Sequence, residues 1–440
     1  MKITHLQSST QIIQLGDVRI LTDPWLTDGE YYGSWYHYPP FPKHSIESLE
    51  YDYIYVSHIH PDHLSEDTFK ALPKKVPVLI HRYESQFLKF KLEKVFGFEV
   101  IECNHGQPYL FENGGSLTIF AADNCDPELC GKFMGCAPVE TQFGSSQIDT
   151  LALFQHNDES ILNTNDCPFE LAESTIRKNN LDKICVDVLC VGYAGAGPFP
   201  QCFKFDNITD QRVAAEDKKI QFLNKAIEFI DLVKPRAYIP FAGTYILGSR
   251  LSNLTELRGV PSVKEAVDFL SEHVSDYSRG FDLRQMDSLR VDNLETQKGS
   301  KNYIKSYEEF LIYISQKSFP HDSDEWDDEE LPDLIDQACE RFNSKAKQIG
   351  FTSKTTLVIQ SEKIRFNLKV NSQPKIMNET DLLSEPFVKI SVDHNLLHRL
   401  LRGPRFAHWN NAEIGSHLRF ERKPNHFERG LYHCLCFMHS

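Results

Sequence analysis

Three histidines and an aspartate fall within six consecutive positions, in Ser57-His58-Ile59-His60-Pro61-Asp62-His63-Leu64-Ser65, directly after the strand-like run Tyr53-Ile54-Tyr55-Val56. Crowding imidazoles is costly unless a metal ion or a shared proton holds them together. Pro61 stiffens the loop that has to present them, and Ser65 is placed to cap a following helix. A strand-to-helix loop aims several side chains into one cleft. The run therefore points to a metal site with His58, His60, Asp62 and His63 as ligands, suited to a borderline divalent metal or to iron.

The 440 residues exceed one ordinary core and predict one large domain or two. Over the first 250 residues short β-rich runs alternate with turns and helical stretches, the pattern of a layered α/β fold. Strands are predicted at 10–15, 18–21, 53–56, 117–121, 150–154 and 184–190, and helices at 65–71, 82–95 and 217–232, the last with an apolar face of Ile220, Leu223, Ala226, Ile227, Phe229 and Ile230. A change of character near residue 250 places a catalytic domain at 1–254 and a C-terminal α+β module at 255–440. Within the module, residues 322–330 form an acidic run expected to be a solvated loop, and 355–360 with 363–370 alternate like a hairpin turning at Ser361-Glu362.

A net charge of −15 argues against nucleic-acid or anionic-membrane partners, whose phosphates demand clustered Lys and Arg. No stretch approaches the roughly 18 apolar residues of a membrane span, and Met1 to His5 lacks the apolar core of a secretory signal. A cytoplasmic protein is expected. Eleven cysteines, several in apolar runs such as Cys185 and Cys190, read as reduced thiols rather than a disulfide framework.

The His58 to His63 run resembles the H-x-H-x-D-H hallmark of the metallo-β-lactamase superfamily, and Asp23-Pro24-Trp25-Leu26 is similar to an early segment of that family. The resemblance implies a four-layer αββα sandwich and two metals, His58 and His60 serving one, Asp62 and His63 the other, with Asp62 also the catalytic carboxylate. It places Asp23 beneath the loop, as an acceptor for a ligand ring or as a turn-forming residue before Pro24. A carboxylate that bridges both metals is implied at the end of a later strand. Asp166, after Ile161-Leu162-Asn163-Thr164-Asn165, is the candidate for that bridge or for a helix cap. Two further family histidines have no counterpart: Ala122-Asp123-Asn124-Cys125-Asp126 and Ile239-Pro240-Phe241-Ala242-Gly243 stand in their places.

A narrower resemblance, to the CMP-N-acetylneuraminate hydroxylase family, is carried by Ile161 to Cys167, by Tyr193-Ala194-Gly195-Ala196-Gly197-Pro198-Phe199-Pro200, by Arg236 to Gly243, and in the tail by Trp409-Asn410-Asn411, Ile414-Gly415, Arg419, Arg422 and Pro424. It runs from about residue 15 almost to the end and is diffuse between 250 and 390. In that family Phe-Ala-Gly also replaces the last histidine, and Asp126-Pro127-Glu128 stands where it has His-Pro-Glu, which makes Asp126 a candidate third ligand of the first metal. The resemblance also implies that Tyr193, Gly195, Gly197 and Arg236 line a substrate pocket. The family's Rieske iron–sulfur ligands need Cys-x-His and Cys-x-x-His close together. In this sequence Cys103-Asn104-His105 and Cys436-Phe437-Met438-His439 lie far apart.

These readings converge on a metal-dependent oxidative enzyme with two divalent ions, iron first and zinc or manganese as alternatives, acting on a small anionic metabolite such as an N-acyl sugar or sugar nucleotide. Electrons would come from a separate donor protein or from the substrate itself. The alternative is a zinc or manganese hydrolase of a lactone or phosphodiester.

Overall fold

The computed structural model describes residues 1–440 except 74, 84–85, 122–148, 300–302, 304 and 379. The chain opens with two tight hairpins. Lys2–Gln7 pairs antiparallel with Thr10–Leu15, which pairs with Val18–Thr22 across Gly16-Asp17, and Gly16 takes the left-handed backbone (φ 60°) that so short a turn requires. From Val18–Thr22 onward the partners are parallel: Tyr53–Tyr55, then Val78–His81, then Val100–Cys103. Ser288–Arg290 and Thr296–Gln297 complete the other edge, giving eight strands.

The second sheet has seven strands. Arg279–Gly280, Ala237–Phe241, Val188–Gly192 and Glu159–Asn163 run parallel, and Thr150–His156, Ser116–Ala121 and Pro108–Leu110 follow antiparallel. Both sandwich sheets thus recruit strands beyond residue 254.

Alternation along the strands explains the layering. One face of each sheet contributes to a shared core, with Ile13, Ile20, Tyr55 and Leu79 from the first sheet meeting Ile119, Phe154, Ile161, Cys190 and Ile239 from the second. The opposite face of the first sheet (Leu21, Ile54, Val78, Ile80) is covered by Phe69, Leu88 and Leu92 from flanking helices. The opposite face of the second (Leu151, Leu162, Leu189, Tyr238) is covered by the helices Phe169–Lys178, Ile208–Val233 and Val263–His273. The order of layers is therefore α, β, β, α, as expected.

Three predicted helices are present with shifted ends. Ser65 caps Glu66–Ala71 by accepting from Thr68 N at 3.2 Å. The stretch predicted at 82–95 forms only from Phe87, and the helix predicted at 217–232 begins earlier, at Ile208, because Asn207 caps it.

A third layer system follows. Lys375–Ile376, Arg365–Leu368, Thr356–Gln360, Phe387–Ser391 and Arg419–Lys423 form a five-stranded sheet, and the expected hairpin pairs Gln360 with Arg365. Its core is continuous with the sandwich: Phe342, Leu357, Phe366 and Trp409 share one apolar cluster with Trp25, Tyr31, Trp35 and Tyr245. The acidic run is largely exposed, as predicted, but several of its charges are paired. Asp322, Asp324, Asp328 and Glu330 pair with Arg250, Arg399, Lys363 and Arg402 respectively, and Asp328 also meets His394 and His398. Its charges pin the helix His394–Leu401. Among the described residues no helix is long and apolar enough to cross a membrane.

Candidate metal centre

Open sheets with parallel strands place their clefts beyond the strand carboxyl ends, and the candidate ligands gather there. Asp23 follows Val18–Thr22, the 57–63 loop follows Tyr53–Tyr55, and Asp166 follows Glu159–Asn163. Thr150–His156 runs the other way, so the residue just before it, Asp149, arrives at the same edge.

The loop backbone is tied at several points. The Ser57 carbonyl accepts from Thr150 Oγ1 and from Tyr83 Oη, each at 3.1 Å. Asp23 takes the Ser57 N–H at 2.7 Å on one carboxylate oxygen and Ser57 Oγ at 2.8 Å on the other. Its second oxygen also lies 2.9 Å from His63 Nδ1. Asp23 is fully buried, so it occupies the orienting position expected beneath the loop.

Around this base the side chains converge. His58 Nε2 is 2.9 Å from His60 Nδ1, and His58 Nδ1 is 3.0 Å from Asp149 Oδ1. His63 Nε2 faces Asp166 Oδ2 at 3.3 Å and Asp62 Oδ2 at 3.6 Å. Two sets of donor atoms lie within 4.8 Å of one another, His58 with His60 and Asp149, and His58 with His63 and Asp166. The Tyr31 hydroxyl donates to Asp62 Oδ1, and Ser9 Oγ donates to the Asp62 carbonyl.

These residues fit divalent metal. His63 Nε2 and Asp149 Oδ1 are buried and complete no hydrogen bond among the described residues, an expense that coordination removes. The electrostatics agree. Burial, with the Asp166 charge beside it, pushes the Asp149 carboxyl up to about 8. Burial and the neighbouring imidazoles hold His58 well below the usual histidine range. Burial opposes the charge on His63, but the Asp166, Asp23 and Asp62 carboxylates outweigh it and raise the imidazole well above its ordinary value.

His58, His60, Asp62, His63 and Asp166 are thus brought together. Asp126 lies outside the described residues. Asp149, which the sequence reading missed, stands with His58 and His60. Its only sequence signal was a carboxylate placed directly before an apolar strand. Phe241 fills the inter-sheet core and Ala242 adopts a left-handed backbone (φ 58°).

The expected substrate residues divide. Tyr193 is fully buried, with its ring against Gly243. Gly195 is a packing position, since a Cβ there would fall 2.0 Å from the Phe222 ring, whereas Gly197 (φ 106°) borders open space. Arg236 is not brought to the cleft. It precedes Ala237–Phe241, at the end opposite the ligands, roughly 16 Å of strand away, and pairs with Asp187 at 2.7 Å. A basic residue beside a family-like segment suggested an anchor, but strand direction sends it to the other edge.

Residues 408–417 reach the site instead. Asn410 hydrogen-bonds His60, the His408 N–H donates to Tyr32 Oη at 2.7 Å, and His417 Nε2 donates to the Tyr31 carbonyl at 2.8 Å.

Comparison with known proteins agrees with this geometry. Residues 2–123 match the model of the beta-lactamase superfamily domain. Among curated proteins the chain is similar to cytidine monophosphate-N-acetylneuraminic acid hydroxylase of Danio rerio, 27% identical over 260 residues that cover 55% of this chain and 38% of the relative. It is also similar to the protein of the same name from Cricetulus griseus, 26% identical over 254 residues, covering 56% and 40%. The match thus spans well under half of those relatives' length. Among solved structures, isothiocyanate hydrolase from Delia radicum gut bacteria superposes with a TM-score of 0.46 at 14% identity, covering 66% of this chain and 99% of that one. Residues 2–123 match the beta-lactamase superfamily domain, and the chain has the αββα layering of the metallo-β-lactamase fold, which implies divalent metal ions at this cluster.

Proposed function

We propose that this protein is a metal-dependent oxidative enzyme that hydroxylates a small anionic metabolite, an N-acyl sugar or sugar nucleotide. The observation that carries the reading is the donor set: Asp62, Asp149 and Asp166 stand among His58, His60 and His63. As many carboxylates as imidazoles makes an oxygen-rich site, which favours iron or manganese over the nitrogen- and sulfur-rich sites typical of zinc. The hydroxylase names of the similar curated proteins support the same direction.

When bound, two iron ions supply the activation of dioxygen. His58, His60 and Asp149 would hold one, and His63, Asp62 and Asp166 the other. The balance is R–H + O2 + 2 e− + 2 H+ → R–OH + H2O, with both electrons from a separate reductase-type donor. The polypeptide's own part is positional. Asp23 fixes the His63 ring, Tyr31 holds Asp62 by its hydroxyl, and the Asn410 side chain steadies His60. Asp62, whose Oδ1 accepts from the Tyr31 hydroxyl, is also the carboxylate placed to take up or release a proton at the reacting centre.

The test pairs elemental analysis of protein purified without chelators with oxygen uptake in the presence of a chemical reductant and CMP-N-acetylneuraminate. Iron near two per chain and substrate-dependent oxygen consumption are expected. Protein that carries only zinc, consumes no oxygen and cleaves lactones or phosphodiesters is instead the hydrolase.

A further inference from the structure

Beyond the metal cluster, the segment that leaves Ala237–Phe241 walls a cavity of about 550 Å³, within the size range of small-molecule sites. Gly243 to Ile246 form one side. The helices Ile208–Val233 and Val263–His273 form the other, and Tyr38 and Tyr307 also line it.

Arg258 projects into this wall and is only 7% exposed. Its Nε donates to the Thr255 carbonyl at 2.7 Å, a terminal nitrogen donates to the Tyr245 carbonyl, and the guanidinium lies 4.5 Å over the Tyr245 ring. No carboxylate among the described residues pairs with it. Lys218, equally buried, packs its Cβ near Gly259 and donates Nζ to the Phe199 carbonyl at 2.9 Å, again with no carboxylate. Burial, with the Arg258 charge nearby, pushes its ammonium down to about 7. Buried charges are normally paired. Lys218 relieves its burial by giving up its proton readily and does not line the cavity, whereas Arg258, a buried cation on the cavity wall without counter-charge in a chain of net charge −15, marks the place of an anion that the polypeptide does not supply.

The other charged groups of the cavity narrow the ligand. Lys219 and Arg284 are held by Glu216 and Asp282. Glu265 accepts the Ser262 N–H, and Glu256 accepts from Tyr307. Exposed Arg212 has no ion-pair partner among the described residues and joins Arg258 in lining the cavity. Three acidic groups on the walls, Glu216, Glu256 and Glu265, disfavour a polyanion, so one charged head fits best.

We propose that this cavity is a second ligand site, which takes a sugar-sized metabolite with a single carboxylate or phosphate head against Arg258 and Arg212 and its body against Tyr38 and Tyr307. It is separate from the metal cluster. Tyr31, Trp35 and Tyr245 form a buried partition, with ring centroids 4.5 Å apart for the first pair and 3.5 Å for the stacked second.

Calorimetric titration of the purified chain with inorganic phosphate, glucose 6-phosphate and glucuronate tests the site and separates the two head groups. Saturable binding of at least one probe is expected. Arg258→Met and Arg212→Glu should each weaken it about tenfold or more, the loss of a charge-assisted contact, and Arg212, being exposed, can change sign without disturbing the core. A His58→Ala/His63→Ala double variant should bind as the parent does. The proposal is overturned if no probe saturates at millimolar concentration, if both arginine variants bind unchanged, or if the histidine variant alone loses the ligand, which would assign the anion to the metal centre.

Discussion

His63 Nδ1 lies 2.9 Å from Asp23 Oδ2, an acceptor that keeps the ring proton on Nδ1 and leaves Nε2 turned toward Asp62 and Asp166. The contact joins two strand ends that are adjacent in the first sheet, so the ring's orientation is built into the fold. Replacing the carboxylate by an amide removes the charge while keeping the shape. Asp23→Asn is expected to weaken metal binding by roughly 10- to 100-fold, read by competition with a chromophoric chelator, with an unchanged circular dichroism spectrum. Parental affinity would show that Asp23 only shapes the turn before Pro24.

Tyr31 and Tyr32 both hold left-handed backbones (φ 50° and 60°) between Gly29 and Gly33, which are left-handed too. Bulky residues adopt this region at a cost. Here it aims the Tyr31 hydroxyl at Asp62 while the ring packs against Trp35. A hydrogen bond to a buried carboxylate contributes about 1.5–3 kcal/mol. Tyr31→Phe should therefore lower occupancy of the metal that Asp62 holds about tenfold or more in a chelator titration, while the aromatic packing preserves the fold. Equal occupancy in the variant would rule out this positioning role.

The parts of the site that were legible in the sequence are those whose chemistry is local. Three imidazoles and a carboxylate within one loop admit few explanations, and an apolar strand running into Asp166 could be read from its neighbours alone. What escaped depends on chain direction and distant contacts. Asp149 reaches the centre because Thr150–His156 is antiparallel to its neighbour Glu159–Asn163, and Arg236 misses it because Ala237–Phe241 points the other way. Asn410 meets His60 across some 350 residues of sequence, a pairing no local pattern encodes. The exposure of the acidic run was legible from its own residues, but its ion pairs were not, because the partners Arg250, Arg399 and Arg402 are remote in sequence.

Phe342 tests whether the C-terminal sheet and the metal site form one cooperative unit. It is fully buried in the cluster that also holds Trp25, Tyr31 and Trp35. Phe342→Ala is expected to destabilise the protein by about 3–5 kcal/mol, with metal release and loss of tertiary signal coinciding in a urea titration. A first transition that leaves the metal bound would mean that the C-terminal part unfolds independently.

His417 provides a pH-dependent test of the same connection. Burial lowers its imidazole to about 3 from an ordinary 6.5, and its Nε2 donates to the Tyr31 carbonyl at 2.8 Å. The folded-state value lies below the unfolded one, so the folded chain prefers the neutral ring. The associated stability is present above pH 6.5 and is lost as pH falls toward 3. Between pH 7 and 5 the loss is about 2 kcal/mol, from about 1.4 kcal/mol per unit over one and a half units. His417→Gln keeps a donor for the Tyr31 carbonyl and removes the titration. Glu413, raised to about 7 by burial, acts with the opposite sign but is present in both proteins and cancels in the difference. The stability gap between parent and variant, from urea unfolding, should narrow by about 2 kcal/mol on going from pH 7 to pH 5. A gap that stays constant would show that the His417 ring does not titrate differently in the folded and unfolded chains.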